Sequence, residues 1–366
     1  MAIRLVILLG LVAVFACSKK SDVQTGFTPL SSTGNNRLLV VATDMQVGLL
    51  NWVNLSLGSL ERTGFPVGTD SIVRFDPVTG RTFVVNRGGA SSISVFEKGL
   101  TGRLAEYSVG AGTNPQDIAV ISESLAYVSR LEKTSTLLKI DPRDGRVIGG
   151  KVLPTSLSDE DGVPEMAWME RVDSNKLWLS LQRLTQWEPK NESYLVQLSL
   201  ADDSLQHRVL ARSNPVTQFK RGPDGKLYVG EAGYTGYQSR LDGGIEKWNA
   251  DTFTSEGLVI DEQTLGGDIV DFEILSQDVG VAIIANPNTE LLVFNPRTGK
   301  KGNTLSSSAA YDYFQITLDR ERGLFYVGDR NNRQPSVRVW SMDSLQERTD
   351  LKWEMGRAPY HMTLAH

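Results

Sequence analysis

The stretch from Pro115 to Pro154 decides the fold of this chain. It contains four short apolar-rich runs, which are in order PQDIAV, LAYVSR, TLLKI and RVIGGKVL. Each run has about the length of a β-strand and is closed by turn residues, most clearly by Asp141-Pro142-Arg143-Asp144-Gly145. Proline presets one backbone dihedral of such a turn and glycine permits a positive φ, so this segment predicts a hairpin.

Similar runs recur along the chain, and their most repeatable part is a second strand. Seven copies of it are visible, at Val40–Thr43, Phe83–Asn86, Tyr127–Arg130, Trp178–Leu181, Tyr228–Glu231, Ile283–Asn286 and Tyr326–Asp329. A third strand follows each copy, at Leu49–Val53, Ser92–Phe96, Leu137–Ile140, Tyr194–Leu198, Gly244–Trp248, Glu290–Phe294 and Ser336–Trp340. The spacing of about 40 to 55 residues is that of propeller blades. No helical period is sustained beyond the first residues of the chain, so the pattern predicts an all-β fold.

The segment Tyr127-Val128-Ser129-Arg130, with the next strand ending in Asp141-Pro142, resembles one repeat of the YVTN family of β-propellers. The second strand that begins at Phe83 lies closest to the motif that names the family, and the one that begins at Trp178 departs furthest. The resemblance implies a seven-bladed β-propeller of four-stranded blades, formed as a single domain by residues 37–366.

The two ends of this domain are expected to share a blade. The first unit starts directly at its second strand, because a polar segment precedes Arg37. The segment Ala358–Leu364 matches the first strands of other units, such as Asn114–Val120 and Asn214–Phe219. We therefore predict that the C-terminal strand completes the first blade, which leaves few exposed sheet edges.

Residues 1–16 have the pattern of a signal peptide, in which Arg4 precedes an apolar run from Leu5 to Ala16. About a dozen apolar residues are too few to span a bilayer stably. Residues 17–36 are polar with little to bury, which predicts a flexible tether.

The segment Val14-Phe15-Ala16-Cys17 resembles a bacterial lipobox. The resemblance implies a lipoprotein whose Cys17 carries palmitate-type acyl chains. Cys17 is the only cysteine of the chain, so no disulfide competes for it. Ser18 resembles the residue that follows the cysteine in lipoproteins sorted to the outer membrane. We therefore expect an outer membrane lipoprotein that faces the periplasm or the cell surface.

Composition argues against several functional classes. A formal charge of -5 over 366 residues, with no basic stripe, disfavours nucleic-acid binding. The chain has no H-E-x-x-H, paired-cysteine or G-x-S-x-G motif, and no phosphate-binding glycine loop before a helix. We expect no cofactor and no metal site. The acidic run Ser158–Gly162 lacks the EF-hand pattern, which leaves only a weak calcium site open.

In a propeller, the loops before each first strand and after each second strand gather on one face around the central channel. The candidate binding residues on this face are Arg87, Arg130, Glu165, Arg183, Trp187, Glu231, Tyr234, Tyr237, Arg240, Asp329, Arg330, Tyr360 and His361. Two long loops, at 182–193 and 232–243, carry the aromatic residues typical of binding hot spots. The alternatives are that the charged residues cap strands and that the long loops are tolerated surface variation.

We therefore expect a monomeric, non-catalytic binding or scaffolding module for a protein, peptide or glycan, attached to the membrane by its lipid. The alternative is a lactonase-like hydrolase, because some seven-bladed propellers of similar repeat type are lactonases. His361, Arg130 and Glu165 would form its catalytic cluster on the channel face. Convergence of these three side chains favours the hydrolase, and dispersal favours the binding module.

Overall fold

The computed structural model describes residues 36–235, 239–309 and 311–365, apart from the side chains of residues 62 and 63. These residues form seven four-stranded antiparallel sheets arranged as the blades of a ring. The predicted all-β, seven-bladed propeller is therefore confirmed. The predicted signal peptide, Cys17 and nearly all of the tether lie outside the described residues.

The strands of each blade are given from the channel outward. Blade 1 contains β28 (Ala358–Ala365), β1 (Arg37–Thr43), β2 (Gly48–Asn54) and β3 (Ser59–Val67). Blade 2 contains β4 (Ser71–Asp76), β5 (Arg81–Asn86), β6 (Ser92–Phe96) and β7 (Arg103–Ser108). Blade 3 contains β8 (Pro115–Ser122), β9 (Leu125–Arg130), β10 (Thr136–Ile140) and β11 (Val147–Val152). Blade 4 contains β12 (Met166–Arg171), β13 (Lys176–Leu181), β14 (Tyr194–Ser199) and β15 (Leu205–Val209).

Blade 5 contains β16 (Lys220–Arg221), β17 (Leu227–Glu231), β18 (Gly244–Asn249) and β19 (Thr254–Asp261). Blade 6 contains β20 (Asp268–Ile274), β21 (Gly280–Ala285), β22 (Thr289–Asn295) and β23 (Lys300–Ser308). Blade 7 contains β24 (Tyr313–Asp319), β25 (Leu324–Asp329), β26 (Ser336–Ser341) and β27 (Trp353–Glu354). A short helix α1 (Glu262–Leu265) and two 3-10 turns, at Thr155–Leu157 and Thr349–Leu351, interrupt the connections. No helix in the described part of the chain is long and apolar enough to cross a membrane.

The ring closes through the C-terminal strand, as predicted. β28 pairs antiparallel with β1 over its length, from Arg37 opposite Ala365 to Thr43 opposite Ala358. Its Met362 side chain is buried in the apolar core shared by blades 1 and 7. Blade 1 is therefore built from both ends of the domain.

The first strand of blade 5 differs from the prediction. The segment Asn214–Phe219 was expected to be regular, but the ladder begins only at β16. Pro215 has no amide hydrogen to donate, and the Thr217 hydroxyl accepts the Gly230 amide at 2.9 Å in place of a backbone carbonyl. The chain still follows blade 5 here, because Pro215 forms an isolated bridge with Glu231.

Apolar side chains fill the spaces between adjacent blades. Trp178 of blade 4 packs edge-on against Trp248 and Phe253 of blade 5, with ring centroids 6.1 and 5.2 Å away. The outermost strands carry few buried residues; all of β7 and β11 are at least partly exposed. The core therefore lies between the inner three strands of neighbouring blades.

Polar contacts between inner segments join all seven pairs of neighbouring blades. The His361 ring accepts the Val73 amide at the junction of blades 1 and 2, and Arg74 binds Asp117 at the junction of blades 2 and 3. Asp117 also accepts the Met169 amide of blade 4 at 2.9 Å.

The remaining four junctions follow the same principle. The donor and acceptor pairs are the Trp168 indole with the Val216 carbonyl, the Lys220 ammonium with Asp271 and Glu273, the Ile316 amide with Asp271, and the Met362 amide with Gln315. Much of the polarity inside the channel therefore serves to hold the blades together.

Candidate functional site

The top face of the ring, where first strands begin and second strands end, holds the predicted site residues. His361 lies inside the channel below this face. It is 6% exposed, and its ring stacks on the Trp168 indole with centroids 6.3 Å apart. Burial, with nearby cationic side chains, holds the pKa of His361 well below its ordinary value.

The His361 ring is therefore neutral at pH 7, and both its nitrogens have partners. Nδ1 accepts the Val73 amide at 3.2 Å, so the ring proton sits on Nε2. Nε2 lies 2.6 Å from Gln218 Nε2, and because an amide nitrogen does not accept a proton, the Gln218 amide is assigned the opposite orientation, in which its carbonyl oxygen accepts. His361 is thus a structural residue of the channel wall.

Polar side chains inside the channel border two cavities. Lys220 lies buried between Asp271 and Glu273, with Nζ–O distances of 3.1 and 2.9 Å. Burial alone would lower the pKa of Lys220, but the two carboxylates raise it above its ordinary value. Lys220, Gln218 and Gln315 line both a cavity of about 120 Å³ on the top side and one of about 550 Å³ on the opposite side. These side chains separate the two cavities.

Arg87 and Tyr360 meet at the top of the channel. The Arg87 guanidinium donates to the Tyr360 hydroxyl at 3.0 Å, and its carbon lies 5.6 Å from the Tyr360 ring centroid. It also donates to one Asp70 oxygen at 2.8 and 2.6 Å and to Gln116 at 3.2 Å. Arg87 is therefore balanced by an acid and holds Tyr360 in place.

Arg330 reaches the same tyrosine from blade 7. Its guanidinium carbon lies 4.6 Å from the Phe314 centroid and 5.4 Å from the Tyr360 centroid, and the two rings stack 4.9 Å apart. Burial lowers the pKa of Arg330, as expected for a partly desolvated cation. Among the described residues, its guanidinium makes no hydrogen bond and no ion pair.

Arg87, Phe314 and Tyr360 border the top-side cavity of about 120 Å³, and Arg330 contacts two of them, Phe314 and Tyr360. Its apolar walls are Ile72, Trp168, Val216, Val270 and Phe314, and its polar lining includes Arg87, Gln218, Tyr360 and His361. We call Arg87, Phe314, Arg330, Tyr360 and this cavity the channel-mouth site.

A second group of predicted residues meets between blades 3 and 4. One carboxylate oxygen each from Asp159, Asp161 and Glu165 lies within 4.8 Å of the other two. Burial first, and then the charge of Asp159, raises the pKa of Glu165 to about 8. These oxygens are of the type that Ca²⁺ prefers, but they are three of the roughly six to eight ligands it takes. Most Glu165 side chains hold a proton at pH 7.

Trp187 stands at the tip of a tight turn beside these carboxylates. The amides of Thr185 and Glu188 each donate to the other residue's carbonyl, at 2.9 and 3.1 Å. The two residues between them, Gln186 and Trp187, have φ of 56° and 66°, which is the signature of a type I′ turn. The Trp187 side chain is 65% exposed. The turn residues Gln186 and Trp187, with Asp161 and Glu165, border a cavity of about 270 Å³.

Three predicted binding residues are instead occupied within the fold. The Arg130 guanidinium donates to the carbonyls of Val109 and Thr136 at 3.1 and 2.9 Å. Glu231 is fully buried and accepts the Arg212 amide at 2.6 Å. Asp329, also buried, accepts a backbone amide two residues further on. Satisfying neighbouring backbone groups is a structural role, and the two atoms left without a hydrogen bond, Arg130 Nε and Glu231 Oε1, are buried.

The long loops carry two cation–π pairs. The Arg183 guanidinium lies 4.6 Å from the Tyr194 centroid and donates to the Glu192 carbonyl, so it is partly engaged. The Arg240 guanidinium lies 4.0 Å from the Tyr234 centroid. Tyr237 lies outside the described residues.

The structure does not bring His361, Arg130 and Glu165 together. His361 lies in the channel wall, the Arg130 guanidinium lies between two backbone carbonyls, and Glu165 lies beside Asp159. Within the described ranges, no hydrogen bond, ion pair or ring contact joins any two of them.

Sequence reasoning missed three residues of the top face. Phe314 is the ring under Arg330, and Met45 and Tyr311 are large side chains that are 64% and 61% exposed. Phe314 follows Tyr313, which is buried in the core, so the period-2 alternation of β24 is the signal that points Phe314 the other way.

The fold is a seven-bladed β-propeller with a small cavity at the top of its channel and an exposed tryptophan, Trp187, on the same face. No protein-family model matches the chain, and a search of curated proteins finds no match. Solved structures do match. The "putative 6-phosphogluconolactonase" of Bacteroides fragilis superposes with a TM-score of 0.63 at 10% identity, covering 92% of this chain and 99% of that one.

Two further structures show the same similarity. AztD from Citrobacter koseri has a TM-score of 0.57 at 10% identity, with 92% of this chain and 99% of that chain covered. The Cps50 (Swd1) β-propeller domain of Myceliophteria thermophila has a TM-score of 0.59 at 11% identity, with 85% and 98% covered. At these identities the similarity shows the fold alone.

Proposed function

We propose that this chain is a non-catalytic binding propeller of the bacterial envelope, an outer membrane lipoprotein anchored through Cys17. It holds a protein, peptide or glycan partner on its top face. The observation that carries the proposal is the turn that presents Trp187.

A type I′ turn favours Asn-Gly, because both central residues need a positive φ. Placing a non-glycine residue in this region costs about 1–3 kcal/mol, and such strain clusters at functional sites. Here it holds an indole that is 65% exposed, which contributes little burial to the fold. A tryptophan offers a large contact area with few rotamers to lose on binding. Strain and exposure together favour a contact role.

The surroundings of Trp187 suit a partner surface. The Thr185 hydroxyl donates to Asp159 at 2.8 Å, which ties the turn to the acidic residues. The Ser213 hydroxyl donates to the Asn191 carbonyl at 3.0 Å, which ties this loop to blade 5, from which the Arg240–Tyr234 pair projects. The cavity of about 270 Å³ beside the indole accepts one side chain or sugar ring of a larger partner.

The lactonase-like alternative is supported by a solved structure of the same fold, but the predicted catalytic side chains His361, Arg130 and Glu165 do not contact one another. His361 is neutral, buried and bonded at both nitrogens, which leaves it without a free lone pair for a substrate proton. Turnover of a sugar lactone by the purified protein, lost in His361→Asn, would overturn the non-catalytic proposal.

The test of binding compares Trp187→Gly with wild type. Glycine relieves the positive φ, so we expect an unchanged or higher melting temperature. Loss of a hot-spot aromatic costs at least about 2 kcal/mol of binding, or roughly 30-fold in affinity. Immobilised wild type and variant are exposed to envelope extract and to peptide and glycan arrays, and recovered ligands are quantified.

The matched control is Leu57→Ala, which removes a side chain that is 69% exposed on the turn between β2 and β3. We expect ligands to be retained by wild type and this control and lost by Trp187→Gly. Equal recovery by all three proteins would refute the role of Trp187.

The anchor has its own test. Cys17→Ser is expected to abolish fatty-acid labelling and to release the protein from the membrane fraction, while the propeller keeps its melting temperature. Wild-type protein that takes up no label and fractionates as soluble would contradict the lipid anchor.

A further inference from the structure

We infer that the channel-mouth site binds a carboxylate attached to a short apolar group, with Arg330 as the anion-binding residue. This site is distinct from the Trp187 turn and does not depend on which partner docks there. Such a group is found at the C-terminus of a peptide and in free small carboxylic acids.

The arginines at and near the channel differ in their partners. Arg74 is paired in bidentate fashion with Asp117, at 2.7 and 2.6 Å, and Arg87 is paired with Asp70. Within the described part of the chain, the Arg330 guanidinium contacts the Phe314 and Tyr360 rings and makes no ion pair. Ring contacts use the face of a guanidinium and leave its five N–H donors at the edge. Those donors match the two oxygens of a carboxylate.

Asp312 is the acid whose charge reaches Arg330, but it forms no ion pair with it. Its carboxylate already accepts the Ser308 hydroxyl at 2.6 Å and the Asn331 amide at 3.5 Å. The Arg87 charge is balanced by Asp70. Arg330 is thus left to take an anion from outside the chain.

The cavity at the channel mouth is small. A volume of about 120 Å³ corresponds to roughly four water molecules at about 30 Å³ each. Sites for whole drug-sized ligands are larger, at about 300–1,000 Å³. The walls formed by Ile72, Val216 and Val270 are apolar, so the space fits a short hydrocarbon or aryl group. Gln218 and Lys220 lie between this cavity and the larger one on the opposite side, so we expect the group to enter from the top face.

The experiment is isothermal titration calorimetry of the full chain in detergent, with benzoate as probe and benzamide as its neutral counterpart. We expect wild type to bind benzoate and to bind benzamide at least tenfold more weakly. Arg330→Gln removes charge-assisted hydrogen bonds and should weaken benzoate about 10- to 100-fold. Arg330→Lys keeps the charge but loses the paired donors, so its affinity should fall between the two.

The matched control is Arg333→Gln, an exposed arginine on the same loop whose side chain contacts neither ring. It should bind benzoate as wild type does. Peptides ending in phenylalanine, with a free or an amidated C-terminus, distinguish the source of the carboxylate. Preference for the free terminus assigns the site to peptides, and benzoate binding without peptide binding assigns it to small acids.

Two results would overturn the inference. One is equal affinity of wild type for benzoate and benzamide, with no preference for the free peptide terminus. The other is an Arg330→Gln variant that melts and binds as wild type does. Neither result bears on the Trp187 turn, which is tested by ligand recovery.

Discussion

Replacing Asp117 with asparagine is expected to weaken two blade junctions at once. The carboxylate is fully buried and accepts the Arg74 guanidinium at 2.7 and 2.6 Å, which joins blades 2 and 3. It also accepts the Met169 amide of blade 4 at 2.9 Å. Asparagine keeps an acceptor for the amide but leaves Arg74 without its counter-charge.

The magnitude follows from the burial of this pair. Removing one partner of a buried ion pair costs about 3–5 kcal/mol, because the other charge is left uncompensated. The Arg74 side chain retains 23% exposure, so water screens part of that charge and we expect the lower end, about 3 kcal/mol. With an unfolding entropy of about 2.1 cal/mol/K per residue, a domain formed by residues 37–366 shifts by about 1.5 °C per kcal/mol, which predicts a melting temperature about 4–5 °C lower.

The assay is thermal melting followed by circular dichroism, with two companion variants. Arg74→Met combined with Asp117→Asn removes the stranded charge and should recover several degrees. Asp350→Asn breaks the exposed Arg348–Asp350 pair, 2.7 Å long, and should shift melting by no more than about 2 °C, because such pairs contribute about 0–1 kcal/mol. If Asp117→Asn melts within 2 °C of wild type, the blade-joining role of this carboxylate is wrong.

Three further predictions concern closure, pH and the channel wall. Deleting residues 358–366 removes β28 with its buried Met362 and exposes the edge of β1, so we expect the truncated chain to aggregate. A truncated chain that melts at the wild-type temperature would contradict ring closure. Burial raises the pKa of Glu165 to about 8, so the contribution of its protonated form to the free energy of unfolding is fully present below its ordinary pKa and is lost as pH rises through 8. The melting temperature of Glu165→Gln should therefore exceed that of wild type by a growing margin from pH 5.5 to pH 9. Parallel curves of melting temperature against pH would count against this. His361→Leu leaves the Val73 amide without an acceptor and should cost about 1–3 kcal/mol in urea unfolding, whereas His361→Asn, which keeps one, should cost less; equal losses would contradict the assigned hydrogen bond.

The blades could be predicted because their signals are local. Each second strand is a short apolar run next to turn residues, and even the divergent copy at Trp178 lies in a regular strand, β13, with that indole fully buried. The prediction of a regular strand at Asn214–Phe219 was wrong because the apolar pattern does not reveal that the Gly230 amide donates to the Thr217 hydroxyl and not to a backbone carbonyl.

The sequence could predict that the site lies on the top face of the ring, but not which side chains meet there. Arg330 was placed there because it follows a second strand, but its contact with Phe314 and Tyr360 depends on how blades 7 and 1 meet. Glu231 also ends a second strand, yet its buried carboxylate accepts a hydrogen bond from the Arg212 backbone amide. Which strand-end charges stay free depends on side-chain partners far apart in sequence.

The pairing of Arg37 with Ala365 has a consequence for the order of events during synthesis. A ribosome adds about 5–20 residues per second, so β28 is synthesised tens of seconds after β1, the strand with which it pairs. Hairpins within the other blades form in about 1–10 μs, long before then. The nascent chain therefore carries one open strand edge throughout most of its production. We expect its yield in cells to depend on how well chaperones shield that edge, more than on the stability of the finished ring.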